Sequence, residues 1–242
     1  MRVLAIDSSG LTATVAIVED DTTIAEFTIN YKKTHSQTLL PMIDEMVKMV
    51  EADLNTIDAI AVAGGPGSFT GLRIGSATAK GLGLALGKPL IHIPTADAMA
   101  YSIYGCEDII CPIMDARRKQ VYTGIYRFEE HQLKTLKDQW AAPVEELLEE
   151  LNRRGEAVTF LGDGVPVFRE LIAEKLKVPY SFAPAHVNKQ RAAAVAALGS
   201  IYYKEGRTQT DVEHVPEYLR VSQAERERAE REKAQKQAGT TV

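Results

Sequence analysis

The sequence predicts an α/β protein built as two lobes, each a mixed sheet with flanking helices. Three observations lead there. The first hundred residues read β-β-β-α-β-α-β-α, the element order of an α/β layer structure. The second half restarts with strands and reads β-β-α-β-α, a loose repeat without evident sequence identity. The 242 residues suffice for two lobes of about 100 each.

Residues 2–7 and 12–19 are β-rich runs joined by the turn-like Ser8-Ser9-Gly10-Leu11. A third strand spans 22–31, so the N-terminus predicts a meander on one edge of a sheet. From 35 to 50 the period changes: Leu39, Leu40, Ile43, Met46, Val47 and Val50 recur at helical spacing. Thr34 or Ser36 is the expected cap, and Pro41 sits in the first turns, where it costs least. Residues 57–63 form a strand of the fully buried kind, running into Gly64-Gly65-Pro66-Gly67-Ser68. The next helix, 70–86, is flat over much of its surface because Gly71, Gly75, Ala77, Ala79, Gly81, Gly83 and Ala85 fall in it. A strand at 89–93 and a helix at 96–104 complete the first lobe.

In the second half, strands at 109–114 and 121–128 flank the charged turn 115–120. A helix at 143–154, a strand at 158–161, the turn Gly162-Asp163-Gly164 and helices at 165–176 and 192–204 follow. The expected domains are 1–106, 107–221 and a charged tail, 222–242, with the last helix free to pack back on the first lobe. The tail carries no apolar stripe and reads as solvated.

Composition is ordinary for a globular chain, 45% hydrophobic and 25% charged. A net charge of −5 argues against a strongly basic nucleic-acid surface. Cys106 and Cys111 are expected as reduced thiols. The N-terminus enters a strand directly with no signal-peptide shape. No stretch makes a comfortable membrane span, so the expectation is a soluble, cytoplasmic protein.

The glycine segment 64–75 follows a buried strand and opens a helix, a setting in which backbone N–H groups can approach a phosphate. It lacks the Gly-Lys-Ser/Thr of a Walker loop, since Gly71 precedes Leu72-Arg73. It also lacks the third glycine of a dinucleotide fingerprint, where Thr70 stands. Tight turning and close helix packing are the favoured reading. Asp7, after the first strand, suits either phosphate orientation or a turn aspartate bonding its own backbone. Asp115 closes a strand where two lobes would face each other, a place for a general base, yet Arg117 and Arg118 beside it suit a plain ion pair. Gly162 and Gly164 would admit an adenine or ribose, or simply make a turn. The five histidines show no metal-ligand spacing, and Ser68 is not in a hydrolase Gly-x-Ser-x-Gly turn.

Taken together, residues 3–9 (VLAIDSS), 35–41 (HSQTLLP), 65–75 (GPGSFTGLRIG), 114–117 (MDAR) with Val121-Tyr122, and 216–220 (PEYLR) closely resemble the TsaB family. The resemblance covers the chain to about Arg220. It implies an actin/sugar-kinase/Hsp70-like (ASKHA) fold. It also implies a part in making N6-threonylcarbamoyladenosine at position 37 of tRNAs reading codons that begin with A (ANN codons). In that system the related subunit TsaD holds a metal and performs the transfer, the TsaB protein pairs with it, and the ATPase TsaE docks on the pair. The resemblance further implies a homodimer when the chain is alone, tRNA contact only through the complex, and no cofactor of its own, with ATP or ADP binding only in the complex. Where TsaD carries two metal-binding histidines, Thr95 and Met99 stand here. A hydroxyl and a thioether are poor ligands for iron or zinc, so the resemblance implies no catalytic residue, no metal site and no transferase or peptidase activity.

The partner surface it implies lies on the two glycine-flanking helices: Leu39, Leu40 and Ile43 on the first, and Phe69, Leu72, Arg73, Ile74, Ala77, Gly81 and Leu82 on the second, with Leu84 a further anchor. Asp7, Asp115, Gly162 and Gly164 are the candidates for a nucleotide. The alternative function is an ATP-dependent phosphotransferase of the same fold class, with Asp115 as base. A metallopeptidase is the third and weakest reading.

Overall fold

A computed structural model describes residues 1–31 and 34–220; the 222–242 tail lies outside the described residues. The first lobe begins with the predicted meander, β1 (Arg2–Asp7), β2 (Ala13–Glu19) and β3 (Thr22–Ile29), followed by α1 (His35–Met49), β4 (Ala59–Gly65), α2 (Phe69–Leu86), β5 (Leu90–Pro94) and α3 (Thr95–Tyr101). The second contains β6 (Ile109–Asp115), β7 (Gln120–Glu129), β8 (Gln132–Pro143), α4 (Val144–Arg154), β9 (Val158–Leu161), α5 (Gly164–Lys175), β10 (Tyr180–Phe182) and α6 (Ala192–Lys204).

The two sheets share one topology. In the first the order is β3-β2-β1-β4-β5; in the second it is β8-β7-β6-β9-β10. In each, three antiparallel strands come first and two crossover helices then add two parallel strands beside the first. β8 and β10 were not foreseen in the sequence.

β1 is buried on both faces, so its alternate residues serve two cores. Leu4 and Ile6 join Val15, Ile17, Ile60 and Val62 against Leu39, Met42, Ile43 and Met46 of α1. Each such side chain contributes about 1.5–3 kcal/mol of burial. On the opposite face Val3, Ala5, Ala16, Ala61 and Ile91 meet Val195, Ala196 and Leu198 of α6. Small residues permit the close approach: a Cβ on Gly199 of α6 would stand 2.8 Å from that of Ala61. The N-terminus of α6 is satisfied by the first lobe, since Glu26 Oε1 accepts from Ala193 N at 3.0 Å and Thr14 Oγ1 from Ala192 N at 3.3 Å. In the second sheet, one face packs Ile109, Ile113, Val121 and Ile125 against α4 and α5. The other packs Ile110, Met114 and Tyr126 against Ala96, Met99 and Ala100 of α3. α3 and α6 thus tie the lobes together, and Asp97 joins them by accepting from Tyr126 Oη (2.8 Å) and Tyr202 Oη (3.2 Å).

The capping expectation for α1 is corrected. Thr34 stands at the N-cap without a side-chain cap bond, and Ser36 lies inside the helix. α2 is capped at both ends: Ser68 Oγ accepts from Gly71 N, and Gly87 closes the helix in the left-handed conformation. Both cysteines are free, and burial pushes the Cys111 thiol up to about 12. After α6 the chain pairs Gln209 with Leu90 on the edge of β5 and continues across α2 toward the second lobe. Among the described residues, no helix is long and apolar enough to cross a membrane.

Candidate functional site

The turn after β1 and the first turn of α2 are built into each other. Asp7 Oδ1 accepts from Ser9 N (2.8 Å) and Ser9 Oγ (2.7 Å). Ser68 N donates to Ser9 O at 2.7 Å, and Ser8 Oγ donates to Gly71 O at 2.9 Å. A Cβ on Gly67 would lie 2.3 Å from Ser9 O, and one on Gly71 2.0 Å from Ser8 O. These glycines serve internal packing, the favoured reading of their segment.

Asp7 is 1% exposed, and its Oδ2 has no hydrogen-bond partner. Burial raises its carboxyl to about 6, against the lowering effect of the Ser9 bonds. Because the folded value exceeds the unfolded 3.8, the carboxylate weakens the fold as pH rises from 3.8 to 6 and by on the order of 3 kcal/mol above that. Asp7→Asn keeps an acceptor toward Ser9, so at pH 7.5 it is expected to raise the melting temperature, by about 1–3 kcal/mol of stability. Thermal melts should show that gain vanish below pH 3.8, where both states are protonated; a melting temperature lowered at pH 7.5 would refute the argument.

Above this turn lies an interlobe cleft of ≈ 690 Å³. Ser9, Gly10, His35, Ser68 and Phe69 line it from the first lobe, and Met114, Asp115, Arg117, Tyr122, Asp163 and Arg220 from the other side. α1 and α2 both point their N-termini into it, which favours negative charge there. The His35 ring shares a 2.8 Å hydrogen bond with Gly10 O. Across the cleft, the β6–β7 turn runs through left-handed Arg117, Arg118 and Lys119. Asp115 stabilises it: Oδ1 accepts from Arg117 N at 2.8 Å and Oδ2 pairs with the Arg117 guanidinium at 3.3 Å. Asp115 N donates to Asp163 Oδ1 at 3.1 Å, and burial pushes the Asp163 carboxyl up.

Of the four nucleotide candidates, only Asp115 lines the cleft. Asp7 lies buried in the turn beneath it. Gly162 and Gly164 do not line it: a Cβ on either would stand 2.2 or 2.9 Å from Ile113 O, so each lets the turn pack on β6.

The predicted helical surface divides. Leu39, Ile43 and Leu72 are 1%, 3% and 2% exposed, the first two within the lobe's own core, so all three are corrected as partner contacts. The outward face of α1 and α2 shows Leu40 (55% exposed), Arg73, Ala77, Gly81 and Leu84 (71%), with Ile74 and Leu82 half-buried beside them. Phe69 is half-buried and stacks on Tyr218 at 4.6 Å and 6°, while Arg73 Nε donates to Tyr218 Oη at 3.3 Å. Tyr218, unforeseen as part of this surface, is brought there by the strap after α6. Thr95 and Met99 are buried, and the Thr95 hydroxyl has no partner. Among the described residues, no three His, Cys, Asp or Glu side chains gather as metal ligands would.

Two copies of one βββαβαβ unit facing each other across a cleft define the actin/sugar-kinase/Hsp70 class of two-lobed proteins. The family model described as "TsaD: tRNA N6-adenosine threonylcarbamoyltransferase" matches residues 22–228. The tRNA threonylcarbamoyladenosine biosynthesis protein TsaB of Bacillus subtilis is 32% identical over 93% of this chain and 96% of its own, and that of Escherichia coli is 32% identical over 91% and 95%. YeaZ from Pseudomonas aeruginosa has the same fold, with a TM-score of 0.77 at 24% identity over 90% of this chain and 99% of that one. The chain belongs to the TsaB (YeaZ-type) family.

Proposed function

We propose that this protein is a non-catalytic, cytoplasmic partner subunit in the threonylcarbamoylation of adenosine 37 in tRNAs reading ANN codons. The relatives' names support the pathway. The role is carried by one observation: the outward face of α1 and α2 leaves Leu40, Ala77, Gly81 and Leu84 uncovered. Small residues between apolar anchors let a second helical pair approach closely. A TsaD-type subunit is the partner for this face, a second copy of the chain takes its place when that subunit is missing, and a TsaE-type ATPase docks on the pair. tRNA is held by the complex, in keeping with the chain's charge of −5, and a nucleotide enters only once the pair has formed.

The phosphotransferase alternative needs Asp115 free to take a proton, and both of its carboxylate oxygens are held by Arg117. Reconstitution tests the proposal: modified nucleoside is measured by mass spectrometry with TsaD- and TsaE-type subunits, with and without this chain. Omitting the chain is expected to lower the rate about 5–150-fold, the usual size of coupling through an interface, and the chain alone is expected to give no product. Product from the chain alone, or an unchanged rate without it, overturns the reading.

A further inference from the structure

The chain's net charge of −5 hides a local excess of the opposite sign. Its centre is the β6–β7 turn, where Arg117, Arg118 and Lys119 follow one another with φ of 65°, 54° and 57°, all three exposed. Left-handed backbone is costly for residues other than glycine, and asparagine and aspartate tolerate it best among the rest. Three such residues in a row, all long and all cationic, are not what turn chemistry alone would select. Strained backbone of this kind gathers where a structure presents side chains for use. The turn is also held in place, since Lys119 O accepts from Val144 N at 3.1 Å and Gln120 N donates to Arg117 O at 3.0 Å.

The excess continues along the strap. Arg220, two residues after Tyr218, donates to Ala116 O beside the turn, and Tyr218 Oη accepts from Arg73 on the outward face of α2. A cationic band thus runs from that face, past the mouth of the cleft, to the second lobe. The carboxylates beside it are engaged: Asp115 with Arg117, Glu145 with Lys175, Asp163 toward Lys189, and Glu217 with Gln139. Lys119 feels only Glu145 at a distance, and among the described residues the Arg118 guanidinium has no ion pair or hydrogen bond. Arg117 and Arg220 line the cleft, whereas Arg118 and Lys119 do not. Cations outside the cleft suit a polymer passing over its rim better than a nucleotide enclosed within it. Repeated anions are what a phosphodiester backbone offers, and long basic side chains are its usual partners. We propose that this band, centred on Arg118 and Lys119, takes the phosphate backbone of the tRNA held by the assembled complex. The proposal rests on the partner-subunit reading and adds to it a direct RNA contact by this chain.

Fluorescently labelled tRNA is titrated with the complex of the full chain and its TsaD- and TsaE-type subunits, from about 50 to 200 mM salt. The variant combines Arg118→Asn with Lys119→Asn. It removes both charges yet suits left-handed backbone, so its melting temperature should not fall. Its tRNA affinity is expected to be about tenfold lower at about 50 mM salt. The slope of log affinity against log salt should shrink by about 2, roughly one for each lost phosphate contact. Calorimetry should show its affinity for the TsaD-type subunit unchanged. Normal assembly with an unchanged slope and tRNA affinity overturns this proposal and leaves the partner reading standing. A tRNA loss that follows from weakened assembly overturns it too, since the turn then touches a subunit. A difference between wild type and variant that disappears on adding ATP assigns the cations to a nucleotide and overturns it likewise. Failure of the wild-type chain to assemble with a TsaD-type subunit overturns the partner reading and, with it, this one.

Discussion

Leu72→Asp is expected to unfold the first lobe and so to abolish every activity of the protein, its associations included. Leu72 is 2% exposed and sits one residue after Gly71, whose backbone is pressed onto Ser8. Truncating such a leucine costs about 2–5 kcal/mol, and an unpaired carboxylate in its place adds the penalty of a buried charge. The sum, at least about 4 kcal/mol, is a large part of the 5–15 kcal/mol that holds a typical protein folded. Circular dichroism melts should show the transition lost or displaced far downward, whereas Leu72→Met should cost under about 1.5 kcal/mol. A normal melt for Leu72→Asp would mean that this side chain is not enclosed as described.

Ala77→Arg is expected to do the opposite: to spare the fold and break the assembly. Ala77 is exposed on the outward face of α2, one turn before Gly81. Surface changes of this kind usually alter stability by no more than about 0.5 kcal/mol. A guanidinium forced into a close helix–helix contact, however, should weaken association by about 2–4 kcal/mol, the range for a central interface position. Gly81→Ala sharpens the test. Nothing lies within 4 Å of a Cβ built there, so alanine should stabilise the free chain by about 0.5–1 kcal/mol. Where a partner helix packs on Gly81, the same methyl should lower affinity. Calorimetric titration against a TsaD-type subunit, with melts of each free variant, separates the two effects. Ala77→Arg binding with unchanged affinity would remove α2 from the interface.

That contrast shows where the sequence was legible. Helical spacing identified α1 and α2 and drew attention to their apolar and small residues, but periodicity alone does not say which side of a helix is already covered. α1 has an apolar stripe at Leu39, Ile43 and Met46 because its own sheet needs one; Leu40, a neighbour in sequence, is the residue left outside. On α2 the flatness has two sources. Gly71, Gly75 and Gly83 face inward against Ser8 and Leu90, whereas Gly81 faces open space. β8 escaped notice because it is a sheet-edge strand whose residues, QLKTLKDQWAAP, are polar on both faces and leave no clean alternation. β10 has only three residues. In the cleft, Asp115 was legible from its place at a strand end. The packing role of Gly162 and Gly164 was not, since it depends on Ile113, about fifty positions earlier in the chain.

The return of α6 to the first sheet has a consequence for how the chain comes into being. Synthesis runs from the N-terminus, yet the side of the first sheet that carries Val3, Ala5, Ala61 and Ile91 is covered by residues 192–204. All ten strands of the described residues have left the ribosome before that cover arrives. Until then the nascent first lobe carries a naked apolar slab, the kind of surface that recruits chaperones or sticks to its neighbours. The oldest part of the polypeptide is thus finished by one of the youngest, and a message cut short before codon 192 would yield a lobe with one side permanently bare.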